Sequence, residues 1–208
     1  NKKFQFLNSY RKKIDKIMFS SVVPNVYIDV KRSIKKKLSV EVKELKQLNL
    51  KKILKIEVNT RQVGSDRLAN AISAINNKDN FIILDFGTAT TFDVVLKDSY
   101  KGGIIAPGVN LSLKTLIEKA KLIPNTRLIK TKDIIGKNTQ NAVRSGFYWG
   151  YQGLIENIIN LIKIKNKKNF KIIFTGGLSH LYKDILKNKI KIDRDLTIKG
   201  LLRLIDLI

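Results

Sequence analysis

Two short stretches hold most of the side chains that could do chemistry. The segment "DFGTATTFD", Asp85 to Asp93, sets a carboxylate, a glycine and three threonines between the apolar runs "FIIL" and "VVL". A glycine after a strand lets backbone N–H groups approach an anion closely, and threonine hydroxyls can donate to phosphate oxygens. Asp85 at the strand end can hold a cation or the water around one. Gly87 and Thr88 then face a polyphosphate and Asp85 a metal; alternatively the segment is a plain hairpin whose threonines favour β structure. The second stretch, "GSDR" from Gly64 to Arg67, puts a carboxylate beside a guanidinium at a loop-to-helix junction. Arg67 can clasp a substrate carboxylate through two hydrogen bonds, and Asp66 can take a proton from a hydroxyl. The plainer reading is an N-capping aspartate and a surface arginine.

Three further pieces are weaker alone. "GGIIAPG" places Gly102 and Gly103 before a strand and Gly108 in a turn after it, where backbone can approach a ligand. "TGG", Thr175 to Gly177, follows an apolar run and either receives a nucleotide or simply ends the strand. His180 is the single histidine and the chain has no cysteine, so thiolate metal sites and disulfides are excluded. The letters Asp-Phe-Gly also occur in protein kinases, but the upstream His-Arg-Asp and the strand lysine in Val-Ala-Ile-Lys context are absent.

Positioning these groups requires a particular run of elements. "IDKIMFSSVVP" predicts a strand over Ile17–Val23, with a helix from Pro24 to about Leu38, and a short strand lies near Leu54–Val58. Leu68, Ala71, Ile72 and Ile75 recur at helical spacing behind an N-cap at Ser65 or Asp66. Strands at Phe81–Asp85, Phe92–Leu96 and Gly103–Ile105 follow each other so closely that the sheet must be antiparallel or mixed. A helix over Asn110–Lys121 stops before Pro124, and a longer one over Asn138–Ile162 is interrupted by Gly146, Gly150 and Gly153. "KIIFTGG" is a buried strand, "LSHLYKDIL" opens a helix, and "LTIKGLLRLIDLI" closes the chain as another. The class is α/β.

At 208 residues with 43% hydrophobic content the chain can bury one substantial core or two smaller lobes. No stretch reaches the ~18–20 apolar residues of a bilayer span. A net charge of +24 suits phosphate-bearing partners, yet Lys, Ile and Asn recur throughout, as an AT-biased genome would impose. Zinc-finger spacing, RNP aromatics and a basic zipper are missing, so the charge implies no specific nucleic-acid partner.

Order and spacing say more than any one motif. "GSDRLAN", "DFGTATTFD", "GGIIAPGVNLSLKTLIEKAKLIP", "NTQNAVRSGFYWGYQGLIENII", "TGGL" and "DLTIKGL" together resemble type III pantothenate kinase over essentially the whole chain. The resemblance implies an actin-like ATPase fold, ribonuclease H-like in each of two related lobes flanking a nucleotide cleft. Residues 1–78 would be the remainder of the N-terminal lobe and 79–208 the C-terminal lobe. It implies ATP-dependent phosphorylation of pantothenate, the first step towards coenzyme A, with Mg2+ and a monovalent cation, K+ or NH4+. A cytoplasmic homodimer with no membrane partner would carry this out. By position, Asp66 matches the general base, and Gly64, Ser65, Asp66 and Arg67 match the pantothenate loop. Thr139 matches a pantothenate contact, while Gly102, Gly103 and Gly108 shape the pocket wall. Asp85 matches the monovalent-cation ligand and Thr88, with Gly87, an ATP-phosphate contact. Gly176 and Gly177 lie at the adenosine end.

One family feature has no counterpart. The Asp-x-Gly-Asn-Thr loop that opens the family's first strand is not found, and "FQFLNSYRKKIDKIMFSSVVP" matches the segment after it. The expectation is that a front segment lies outside this chain or that the gene is degraded, and that this polypeptide alone phosphorylates pantothenate poorly or not at all. Two other readings stand beside the kinase: a regulatory or nucleic-acid-binding relative on the same scaffold, and an actin-like kinase for another small alcohol or acid.

Overall fold

A computed structural model of the chain describes residues 9–10, 13–38, 40–185 and 190–205. They fall into two compact units, one within Asn1–Ile75, Asp98–Tyr100 and Asp195–Ile208, the other within Asn76–Lys97 and Lys101–Arg194.

In the first unit, strand β1 (Lys16–Phe19) pairs in parallel with β2 (Glu41–Glu44), Lys16 opposite Glu41 and Phe19 opposite Glu44. Parallel neighbours need a crossover, and helix α1 (Pro24–Lys35) supplies it. Pro24 sits at the helix start, where a missing N–H costs nothing. Ile34, Leu38 and Val42 pack with Ile17, Phe19 and Val30 between helix and strands. Two 3-10 turns, Leu45–Gln47 and Leu50–Lys52, lead to β3 (Lys55–Ile56), which pairs in parallel with Ser99 and Tyr100. Strand β2 was not foreseen. Its apolar positions are too few among Lys and Glu for a period-two signal.

Helix α2 (Ser65–Ala74) buries Leu68, Ala69, Ala71 and Ile72 completely. Against it lies the closing helix, α5 (Leu196–Ile205), which belongs to this first unit although the sequence reading grouped it with residues 79–208. Three contacts explain the pairing. A side chain at Gly200 would put its Cβ 2.6 Å from the Ala69 carbonyl carbon, so only glycine lets the two backbones meet. Thr197 Oγ1 donates to Asn70 Oδ1 at 2.7 Å. Arg203 Nη1 donates to the carbonyls of Ile72 (2.5 Å) and Ile75 (2.9 Å), satisfying acceptors that the end of α2 leaves open.

The second unit is built on a sheet of order β6-β5-β4-β7-β8. Its strands are β4 (Asn80–Phe86), β5 (Ala89–Leu96), β6 (Ser99–Pro107, whose first residues lie in the other unit), β7 (Lys171–Gly176) and β8 (Ile190–Ile192). β4 and β5 are antiparallel, whereas β7 runs parallel to β4, and β8 to β7. An antiparallel meander followed by two parallel strands on its far side is the ribonuclease H-like order expected, and the α/β class holds. Helices α3 (Val109–Lys119) and α4 (Thr139–Asn166) make the crossover. Period-two alternation turns Ile82, Leu84, Phe86, Phe92, Val94, Ile172 and Phe174 to one face, where they pack with Val109, Leu113, Tyr148, Ile155 and Ile159. Asn138 caps α4 by accepting from the Asn141 N–H at 2.9 Å, and Lys167 ends it in the left-handed conformation.

Candidate functional site

The first group of candidate residues lies at the start of α2. Gly64 occupies the N-cap position in an extended conformation and the helix begins at Ser65, so the N-cap falls one residue before Ser65 and two before Asp66, the two positions the sequence suggested for it. Half-buried Asp66 folds back over this end, its Oδ1 accepting the Arg67 N–H at 2.8 Å. The helix N-terminus carries partial positive charge, which attracts the carboxylate there. Gly64 leaves room for this: a Cβ would lie 3.5 Å from Asp66 Cγ and closer still to Oδ1, and 3.4 Å from Val22 Cγ1. Ser65 is 1% exposed, so its hydroxyl points into the unit rather than toward solvent. Arg67 is half-buried beside it.

The second group gathers at the ends of the strands in the other unit. Asp85, one residue before the end of β4, stands level with Thr91 on β5 and Thr175 on β7, so the three share a sheet face. Thr91 Oγ1 donates to fully buried Asp93 at 3.4 Å on that same face. Gly87 and Thr88 form the exposed two-residue link to β5, closed by the Gly87 N–H donating to Ala89 O at 3.1 Å.

Two glycines press close here, Gly108 on the link and Gly176 on the end of β4 just before it. Gly108, just before α3, would carry a Cβ 2.6 Å from the Thr88 carbonyl carbon. Gly176 has φ +83°, and a Cβ there would lie 2.6 Å from Asp85 Oδ1 and 2.7 Å from Phe86 N. Both conditions demand glycine, the second by conformation as well as by space. Beside them opens a hollow of about 500 Å³ lined by Phe86, Gly87, Thr88, Asn110, Leu111, Lys114, Gly177 and Leu178. That lies in the range of roughly 300–1,000 Å³ usual for small-molecule sites. Beneath it, Phe86 stacks on Tyr182 at 5.5 Å between centroids, and burial, aided by Tyr151 and Tyr148, pushes the Tyr182 phenol above its ordinary range.

Gly87, Thr88 and Gly177 therefore line one hollow, which Gly108 and Gly176 shape from behind. Gly102, with φ +98°, and Gly103 lie within β6 and do not line it, nor does Thr139, an exposed residue in the first turn of α4. The reading of the sequence missed Asn110 and Lys114. They stand one helical turn apart on α3, and that i, i+4 spacing just after the Pro-Gly turn was the available signal. His180 sits on a 3-10 turn with Nδ1 3.1 Å from Gly177 O, in keeping with an ordinary polar residue.

The family model of type III pantothenate kinase matches residues 3–161. A type III pantothenate kinase of Pelagibacter ubique is 59% identical over 208 residues, which is 100% of this chain and 84% of that protein. The chain belongs to the type III pantothenate kinase family. Another type III pantothenate kinase, from Sulfurihydrogenibium, is 40% identical over 202 residues, covering 94% of this chain and 80% of its own length. Among solved structures, a Baf-family protein of Campylobacter jejuni shares the fold with a TM-score of 0.66 at 20% identity, over 97% of this chain and 87% of that one.

Type III pantothenate kinases are phosphotransferases that phosphorylate pantothenate in coenzyme A biosynthesis, using ATP and a divalent metal ion. Among the described residues no helix is long and apolar enough to cross a membrane.

Proposed function

We propose that this pantothenate kinase holds ATP at the Gly87–Thr88 link and pantothenate at the Gly64–Arg67 loop, and that Asp66 is its general base. The observation that carries the first part is the hollow beside the link. Its rim offers backbone amides, the Thr88 hydroxyl and the Lys114 ammonium, all suited to phosphate oxygens. Gly176 and Gly177 would pass along the adenosine end. At the other loop, Arg67 would bind the pantothenate carboxylate, and Thr139, Gly102, Gly103 and Gly108 keep the pantothenate-side roles that the family resemblance assigns them.

The primary hydroxyl oxygen of pantothenate attacks the γ-phosphorus, the bond to the β–γ bridging oxygen breaks, and ADP leaves. The hydroxyl proton passes to the Asp66 carboxylate. Positioning and charge neutralisation supply most of the acceleration in such transfers.

Asp85 with Thr91 and Thr175 offers an all-oxygen donor set bearing a single carboxylate, which fits a loosely held monovalent cation. No group of three or more His, Cys, Asp or Glu side chains able to hold a metal occurs among the described residues, so Mg2+ would come chiefly on the ATP phosphates. When bound, these cations neutralise charge developing on the phosphate oxygens.

The protein would act as a cytoplasmic homodimer. The support for self-association is a stripe on α4: Gly146, Gly150 and Gly153 share one exposed side of the helix, with open space where each Cβ would be. Such glycines weaken a solvated helix, and they make sense where another backbone approaches.

Titrating ATP into the protein and its Thr88→Ala variant tests the nucleotide assignment. Affinity should fall about 10-fold with the loss of one hydrogen bond to a charged group. Equal affinities would remove the link from the site.

A further inference from the structure

Glutamate 44 has no role in the reading above, yet it is buried, with 8% of its surface exposed. It ends β2, and both its carboxylate oxygens are committed. Oε2 accepts the Lys46 N–H at 2.7 Å, while the Glu44 N–H donates to Gln47 Oε1 at 3.1 Å, a reciprocal cap on the following 3-10 turn. Oε1 accepts the Ser65 hydroxyl at 2.5 Å, across 21 residues of chain. The Ser65 hydroxyl also lies 3.1 Å from Ser21 O, and its single proton goes to the charged oxygen in preference to the carbonyl.

Capping that turn does not explain the glutamate, because Ser, Asn or Asp caps as well without the longer reach. Burying a carboxylate costs several kcal/mol unless its hydrogen bonds are made. What the longer side chain adds is the tie to Ser65, the first residue of α2 and immediate neighbour of Asp66. The Ser20–Val23 segment runs beside the same loop, with Ser21 O 3.1 Å from the Ser65 hydroxyl and Val22 Cγ1 3.4 Å from where a Cβ on Gly64 would lie.

We infer that Glu44 is a positioning residue for phosphoryl transfer. Its buried carboxylate pins Ser65 from inside the unit, fixing the first turn of α2 and with it the directions of Asp66 and Arg67. Ser65 is then a strut, not a contact to pantothenate. The inference rests on Asp66 being the base, since a rigid loop raises the rate only if that carboxylate must meet the attacking hydroxyl.

The test uses the full-length gene product, with phosphopantothenate formation, pantothenate binding and thermal unfolding followed together. Glu44→Ala and Ser65→Ala should each lower kcat by about 10- to 100-fold, the scale of a small misplacement, and leave the KM for ATP unchanged. The double variant should be no slower than the worse single one, because both remove the same tie. Glu44→Gln should recover most of the activity through its amide oxygen but not all of the stability, because its nitrogen cannot accept from Lys46 N–H. If Glu44→Ala does not fold, Ser65→Ala carries the test. Parent kcat and pantothenate affinity in Ser65→Ala, or losses that multiply in the double variant, would overturn the inference. Asp66→Asn, measured alongside, separates the two claims. If it stays active, the base assignment fails, and the coupling of Glu44 to Ser65 in pantothenate affinity still decides the positioning role. If it is inactive while Ser65→Ala is normal, the positioning role alone fails.

Discussion

Gly176 shows how tightly one position is constrained. Its φ of +83° is one that L side chains rarely adopt, and a methyl group there would meet the Asp85 carboxylate and the Phe86 backbone at once. Gly176→Ala should destabilise the protein by about 1–3 kcal/mol and displace Asp85. Thermal unfolding and ATP titration of the variant should both show it; a parent-like Tm with parent affinity would contradict the crowding described. Local motifs of this kind were readable in advance, because Gly64–Arg67 and Asp85–Thr91 keep their chemistry within a few consecutive residues. Glu44 was not readable. "EVKELKQL" looks like a solvated charged surface, and nothing in it points to a serine 21 residues further on.

Among the elements, most helices and strands with a strong apolar period emerged near where their sequences placed them, but the first strand stops at Phe19 instead of running to Val23, and α4 departed from its reading. Three glycines were expected to interrupt it, yet it runs unbroken over Thr139–Asn166. Its opposite side buries Tyr148, Ile155, Ile159 and Ile162, and tertiary packing of that stripe outweighs about 1 kcal/mol of propensity lost per glycine. Gly150→Leu should therefore leave the fold intact and weaken self-association. Sedimentation tests the proposed homodimer: it should form in the parent and shift toward monomer in the variant, and a dimer unchanged by the substitution would exclude this stripe as its interface. "LSHLYKDIL" departs too: Ser179–Tyr182 forms only a 3-10 turn, with Tyr182 drawn into the stack between Phe86 and Tyr148. The placement of α5 follows from Gly200. Gly200→Ala should force α5 from α2 and cost about 1–3 kcal/mol, measured as a lower Tm, with no change counting against the packing.

On the scale of the whole molecule the dominant fact is a net charge of +24. Both proposed substrates are anions, and a field of that sign raises their encounter rate until salt screens it within about 8–10 Å. Raising ionic strength from 20 to 300 mM (about a fourfold shorter screening length) should lower kcat/KM for ATP while leaving kcat nearly constant. A salt-independent kcat/KM would mean the charge serves something other than substrate capture. The excess was plain from composition, but its arrangement was not, because lysines are spread along the chain without a motif. The central claim concerns one carboxylate. Its most direct measurement is phosphate transfer from ATP to pantothenate by the full-length gene product and by its Asp66→Asn variant, with unfolding followed in parallel. The predicted result is a fall in kcat of about 10²- to 10⁴-fold at an unchanged Tm, the range for losing a general base. Equal rates in the two proteins would contradict it.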